Sequence, residues 1–216
     1  MRSITASCIC SLDPNAGANR DNLLFSGQLL PERNGGLAGT PSTHADQPFV
    51  TGVFRGYGPD GSGAAAAHRA ASALLQAGED LAFGASLSER LSPLCAETLS
   101  ETGEPSGCAA AAAVFSQERL HLFSCGGCRA YLFRDRALFL LSPAEEAQPY
   151  SLDGVPLAGD RLLLCTATLA EALSAQQILE QCAGARSDTS ALQQLLKLAR
   201  SQGAGDSVTA VLLRIE

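Results

Sequence analysis

Four short stretches of this chain combine residue types and settings suited to holding an ion. They are Asn19-Arg20-Asp21-Asn22, Arg55-Gly56-Tyr57-Gly58, Thr166-Ala167-Thr168 and Gly205-Asp206-Ser207. Each lies at one end of an apolar, β-like run, where backbone carbonyls and short polar side chains from several strands can converge. Carboxylates in such places gather Mg²⁺ or Mn²⁺, because these hard cations prefer oxygen ligands. Only two of the four stretches carry an acid, Asp21 and Asp206, while the other two present Arg55 and Ala167.

The second stretch belongs to GVFRGYGPDGSG, residues 52–63. Its glycines describe a turn in which backbone approaches a ligand or another backbone closely. The lysine and Ser/Thr of a nucleotide-binding loop are missing, so it is not read as a phosphate cradle of that kind. Cys125-Gly126-Gly127-Cys128 has the spacing of a redox pair or of half a zinc site. No second Cys-x-x-Cys accompanies it, and His44, His68 and His121 are dispersed. Cys8 and Cys10 share one strand face and could complete a cluster. The alternative is a hairpin turn with two incidental thiols.

The elements that must position these residues follow from period and punctuation. Ile4 to Leu12, Leu23 to Ser26 and Phe49 to Phe54 read as strands, with a loop from Pro31 to Pro48. Ser62 is expected to cap a helix reaching Ala77, and Ser86 to Ser100 reads as helical with a kink or new start at Pro93. A meander of antiparallel strands then covers Ala109 to Phe115, Arg119 to Ser124, Arg129 to Arg134 and Ala137 to Leu141. Arg161 to Thr166 is a strand and Thr168 to Cys182 a helix. Asp188 is expected to cap a last helix ended by Gly203, and Ser207 to Ile215 closes as a strand. Strands first and last, two helical blocks and a central β meander imply an α+β fold, with no linker dividing residues 1–216.

A chain of 216 residues removes roughly 70% of its unfolded surface from water on folding, enough for a self-sufficient core. Tryptophan is absent and aromatics are 5% of the chain, so that core is built from Ala, Leu and Val. The 22 acidic and 15 basic residues are scattered, which excludes the basic footprint of a nucleic-acid binder. No apolar run approaches the ~18 residues that span a bilayer, and the N-terminus is a poor signal peptide. The eight cysteines sit mostly in apolar segments as small hydrophobes. A soluble protein of the reducing cytoplasm is expected.

Taken in order, these stretches resemble the metal-dependent type 2C protein phosphatases, the PPM family. Its opening Asn-(Glu/Gln)-Asp motif is similar to Asn19-Arg20-Asp21, and its Asp-Gly-x-Gly-Gly turn to Arg55-Gly56-Tyr57-Gly58-Pro59, with a later glycine at Gly63. Its Gly-(Ser/Thr)-Thr strand start resembles Gly107-Cys108-Ala109. Its Asn-x-Gly-Asp-Ser-Arg-x-Tyr hairpin resembles residues 124–131, its Ser-Asp-Gly segment Thr166-Ala167-Thr168, and its closing Asp-Asn-x-Thr strand Asp206-Ser207-Val208-Thr209.

The resemblance covers nearly the whole chain and implies a four-layer α/β/β/α sandwich, two stacked antiparallel sheets flanked by helix pairs. It further implies two Mg²⁺ or Mn²⁺ ions holding the water that attacks a phosphoserine or phosphothreonine. Carried over by residue, Asp21, the Gly56 carbonyl and Asp206 match metal-ligand positions. Arg55 and Ala167 stand where the family has acids, Arg20 where it has Glu or Gln, and Ala16 where it has a phosphate-binding arginine. These departures imply a vestigial centre that does not assemble two metals, with Arg55 bridging Asp21 and Asp206 in place of the ions. The expected function is a binding or regulatory module for a phosphoprotein or regulatory protein, with Arg20 and Arg55 as possible phosphate or carboxylate contacts. The alternatives are an active phosphatase with rearranged ligands, using Asp60 or Asp160, and a cysteine-based redox or zinc module.

Overall fold

The computed structural model describes residues 3–12, 17–29, 42–43, 48–59, 61–77, 86–99, 103–116, 119–143 and 149–216. In chain order the elements are β1 (Ile4–Ser11), β2 (Asp21–Phe25), β3 (Gln28–Leu29), β4 (Ser42–Thr43), β5 (Phe49–Tyr57), α1 (Ser62–Gln76) and α2 (Leu87–Cys95). There follow β6 (Thr98–Leu99), β7 (Pro105–Ser116), β8 (Arg119–Cys125), β9 (Arg129–Arg134), β10 (Ala137–Leu140) and β11 (Tyr150–Gly154). The chain closes with β12 (Arg161–Cys165), α3 (Ala167–Ala172), α4 (Ala175–Gly184), α5 (Asp188–Ser201) and β13 (Val208–Ile215).

Two antiparallel sheets result. One runs β10-β9-β12-β13-β1-β4 and the other β11-β8-β7-β5-β2-β3, with β6 beside β7. Strand alternation then sorts each side chain to one of two faces. Ala6, Cys8 and Cys10 of β1, Leu23 and Phe25 of β2, Val53 of β5, Leu162 and Leu164 of β12 and Val211 and Leu213 of β13 fill one core between the sheets. The intervening positions face outward. Leu24, Phe54, Ala110, Ala112 and Phe123 pack beneath α1 and α2. Leu163, Cys165, Ala210 and Leu212 pack beneath α3, α4 and α5. The expected four-layer sandwich is therefore present, and its inner strands are apolar on both faces because both are covered.

Alanine sets the spacing of the second layer. Ala110 and Ala112 of β7 meet Ala66, Ala67, Ala70 and Ala71 of α1, all of them buried. The closest approach is at the turn between β5 and α1. A methyl group on Gly56 would collide with the carbonyl of Gly63, and one on Gly63 would lie 2.6 Å from the Tyr57 nitrogen. The paired glycines thus let the first turn of α1 rest on the end of β5.

Several local expectations change. Gly61, at φ 80°, is the N-cap of α1, and Ser62 instead donates its hydroxyl to the Pro59 carbonyl at 2.6 Å. The helix expected from Thr168 to Cys182 is two, because Ser174 starts α4 with a capping box. Ser187 caps α5, which frees Asp188 to accept hydrogen bonds from Arg161 and Arg214. β11 has only one partly buried apolar residue, Leu152, and so lacks the alternation that would reveal it. α2 continues through Pro93 to Cys95. Most of the loop expected over 31–48 lies outside the described residues.

Gly56→Ala is expected to lower stability by about 3 kcal/mol through overpacking, whereas Gly154→Ala, with open space around it, leaves it nearly unchanged. Urea denaturation of the two variants beside the parent checks this; equal midpoints would remove the proposed contact.

Candidate functional site at the end of the inter-sheet core

The same alternation that builds the central core carries it past its last apolar layer. Asp21 lies two residues before Leu23, Arg55 two after Val53, Thr166 two after Leu164, and Thr209 two before Val211. Cys10, Ala109 and Cys128 complete this layer. Within the helix-backed sheet Asp21 is paired directly with Arg55, and Arg55 with Ala109. Across the gap, Cys10 is paired with Thr209. A ring of polar groups therefore closes one end of a core that is otherwise hydrocarbon and thiol.

Two cross-sheet connections dominate. Arg55 Nη2 donates to Asp206 Oδ2 at 3.1 Å, with both side chains partly exposed at 27% and 36%. Asp21 Oδ2 accepts from the hydroxyls of Thr209, at 2.7 Å, and Thr166, at 3.3 Å. The threonines are themselves tied together, since Thr209 N donates to Thr166 Oγ1 at 3.1 Å. Asn19 supports the turn by accepting from the Asp21 N–H at 3.0 Å, and Gly56 N donates to the Arg20 carbonyl at 2.9 Å.

Asp206 sits in the segment between α5 and β13, and Arg200 shapes that segment. From the last turn of α5 its guanidinium donates to the carbonyls of Ala204 at 2.7 Å, Asp206 at 2.6 Å and Ser11 at 3.0 Å. This backbone clamp presents the Asp206 carboxylate to Arg55. Nothing in the local sequence distinguishes Arg200 from an ordinary C-terminal helix arginine, so its role was invisible before the fold was known.

Burial pushes the Asp21 carboxyl up to about 7. The Thr209 hydrogen bond and the charge of Arg55 pull it back down, and Asp206 opposes them. Arg55 thus acts on Asp21 through charge, not through the expected hydrogen-bonded bridge: among the described residues its hydrogen bond goes to Asp206 alone. Asp21 lies 3% exposed, with the hydroxyls of Thr166 and Thr209 on its Oδ2.

These residues do not fit a pair of divalent cations. Ala167, 4% exposed at the start of α3, brings no oxygen side chain. A divalent ion ~4 Å from the Arg55 guanidinium would meet about 8 kcal/mol of repulsion at an effective dielectric of ~20. Among the described residues no group of three or more His, Cys, Asp or Glu could hold a metal ion. Asp160, one of the alternative ligands, is 2% exposed and receives Arg134 Nε at 2.8 Å and the Leu157 N–H at 2.7 Å. It stands at the opposite end of β12. Asp60 and Ala16 lie outside the described residues.

The Cys-Gly-Gly-Cys thiols face different layers. Cys128 belongs to the inter-sheet core and Cys125 to the layer beneath α1 and α2. Cys125 instead meets Cys95, which also contacts Cys108. Contact within this trio and burial push the Cys95 and Cys125 thiols up, and burial does the same for Cys128. None of the eight cysteines forms a disulfide, and all are buried. The structure does not pair Cys125 with Cys128, because Cys125 ends β8 of one sheet and Cys128 leads into β9 of the other; the single meander expected from Ala109 to Leu141 is therefore two hairpins, β7-β8 and β9-β10, in different sheets.

Of the residues marked in the sequence, Asp21, Arg55, Gly56, Ala167 and Asp206 meet at this end of the sandwich, and Arg20 is exposed at its edge. Thr166, Thr209, Asn19 and Arg200 are the partners that sequence reasoning gave no role. For the threonines, their place two residues beyond the apolar alternation was the available signal.

No protein-family profile matches the sequence, and no curated protein is matched by it. Solved structures are similar throughout. The serine/threonine phosphatase PstP of Mycobacterium tuberculosis superposes with a TM-score of 0.74 at 20% identity, covering 99% of each chain. The PstP catalytic domain in complex with two manganese ions gives 0.74 at 20% identity, covering 100% of this chain and 99% of that one. The PPM phosphatase MsPP of Mycobacterium smegmatis, in complex with cacodylate, gives 0.67 at 17% identity over 97% of each. The chain has the fold of the PPM-type serine/threonine phosphatases.

The raised Asp21 carboxyl has a consequence for stability. Its folded value, about 7, exceeds the ordinary 3.8, so between these values the folded chain holds a proton that the unfolded chain has released. Stability from this group is present below pH ~4 and lost as pH rises through ~7, by at most on the order of 4 kcal/mol. In urea titrations at acid, intermediate and mildly alkaline pH, the parent should lose stability relative to Asp21→Asn as pH rises. A difference that is flat or grows with pH would contradict it.

Proposed function

We propose that residues 1–216 form a single noncatalytic domain of the PPM phosphatase fold, a pseudophosphatase that works as a binding or regulatory module in the reducing cytoplasm. Its ligand is a phosphorylated protein, engaged at the mouth where Arg55 and Arg20 stand. The observation that carries this reading is the state of Arg55. Its guanidinium makes one hydrogen bond among the described residues, through Nη2 to Asp206, and its side chain is 27% exposed. Nε, Nη1 and the second Nη2 proton have no partner among the described residues, and that proton together with Nε–H or Nη1–H makes the planar fork with which arginine receives two oxygens of a phosphate. Arg20, exposed one residue before Asp21, adds a second positive charge at the edge.

Hydrolysis would need an activated water, and neither route to one is supported. The described residues offer no carboxylate set for a divalent ion, and Asp21 Oδ2 already accepts two threonine hydroxyls. An active enzyme with rearranged ligands would need Asp160, which is engaged by Arg134 elsewhere. No helix among the described residues is long and apolar enough to cross a membrane, and the buried thiols, none of them in a disulfide, suit a reducing compartment.

Two measurements test the reading. Hydrolysis of p-nitrophenyl phosphate with added Mn²⁺ is expected to run no faster than in an Asp21→Ala control; metal-dependent turnover that the control abolishes would end the noncatalytic reading. Calorimetric titration with O-phosphoserine is expected to show binding that Arg55→Gln weakens about tenfold, the loss of one charge-assisted contact.

A further inference from the structure

We infer that Arg55 is a resident structural cation, which joins the two sheets at the end of their shared core in place of bound metal. The inference rests on the noncatalytic reading of this site but concerns what holds the site together. Away from this end the sheets are held by apolar burial, and no counter-charge is needed. The terminal layer is different, since it brings two carboxylates, Asp21 of one sheet and Asp206 beside the other, toward the same space. Ionised together, carboxylates so placed would repel and be poorly hydrated, and a nearby cation offsets both effects.

Reach makes arginine suited to that place. Stacked sheets lie ~10 Å apart, and Arg55 must cross from β5 to the segment before β13, which it does at 3.1 Å from Asp206. An aspartate at position 55 is too short to make this crossing without an ion between the partners. The neighbours on its own sheet leave it room: Ala109 is its strand partner, and beyond it a methyl group on Gly126 would lie only 2.6 Å from the Ala109 Cβ. From the far side Arg200 fixes the backbone of Asp206, so that the carboxylate is held at the receiving end.

The second departure, Ala167, fits the same replacement. It is buried at the first position of α3. A carboxylate there would add a further acid to be offset by the single charge of Arg55. By charge alone, aspartate to arginine at 55 changes the lining by +2 and aspartate to alanine at 167 by +1. Together these supply +3, against the +4 that two divalent ions would carry. Two substitutions that look like independent losses thus amount to one exchange, in which mobile positive charge is traded for a covalently attached one.

Thermal melting in EDTA and in Mn²⁺ tests this, with variants that separate charge from packing. The parent is expected to melt at the same temperature in both. Arg55→Met, which keeps the length of the side chain without its charge, should melt on the order of 3 °C lower, and Arg55→Lys should recover most of that loss. The pair Arg55→Asp with Ala167→Asp should melt lower than the parent in EDTA and regain stability when Mn²⁺ is added. A parent that Mn²⁺ stabilises, or an Arg55→Met variant as stable as Arg55→Lys, overturns the inference. If the paired variant does not fold, the Lys and Met comparison decides alone. Failure of O-phosphoserine to bind would overturn the proposed ligand and leave this result untouched.

Discussion

The layer that closes the inter-sheet core must reconcile two facts that pull against each other: it is buried, and it contains carboxylates. Asp21 is 3% exposed, and desolvation alone would leave it protonated or strongly unfavourable. The protein answers with hydroxyls from the opposite sheet and with one guanidinium nearby. Thr209 and Thr166 supply the hydrogen bonds, and Arg55 supplies the charge while anchoring Asp206. Every other feature of this end, from the Arg200 clamp to the small Ala109 and Gly126, can be read as making room for that arrangement or aiming it.

The fold that this chain shares with solved serine/threonine phosphatases at 20% identity does not depend on this end for its packing. The sandwich is stabilised by three apolar clusters, most of whose members lie away from the site. The glycine contact between Gly56 and Gly63 belongs to the packing of α1 on β5, so it is retained for steric reasons whatever the chemistry beside it. What the site itself must satisfy is neutralisation of buried charge, and a cation attached to the chain can do that as well as one drawn from solution.

The thiols illustrate a different constraint. Eight cysteines outside any disulfide in 216 residues would be a liability if exposed, yet all are buried. Cys95, Cys108 and Cys125 meet on the helix-covered side of one sheet, while Cys10 and Cys128 lie between the sheets. They behave as the compact hydrophobes that an alanine-rich core with few aromatics requires, and the raised thiols are held in their neutral form.

Period and order were enough to identify the strands, the helices and an α+β class, while the four layers followed from the family resemblance. Alternation in Ile4–Ser11, in the alanine-rich strand and in Val208–Ile215 assigns each side chain to a face, because in a strand the face is decided by residue parity and needs no knowledge of the partner strand. Motif order likewise brought Asp21, Arg55, Ala167 and Asp206 to one place before any coordinates. What parity cannot decide is which two side chains from different sheets come within bonding distance, since that depends on how far apart the sheets settle and where each loop ends. So the bond from Arg55 to Asp206 rather than to Asp21, the two threonines on Asp21, the backbone clamp of Arg200 and the separation of Cys125 from Cys128 were decided by tertiary structure. They are contacts of long sequence separation, set by packing of whole layers and not by any local preference of the residues that make them.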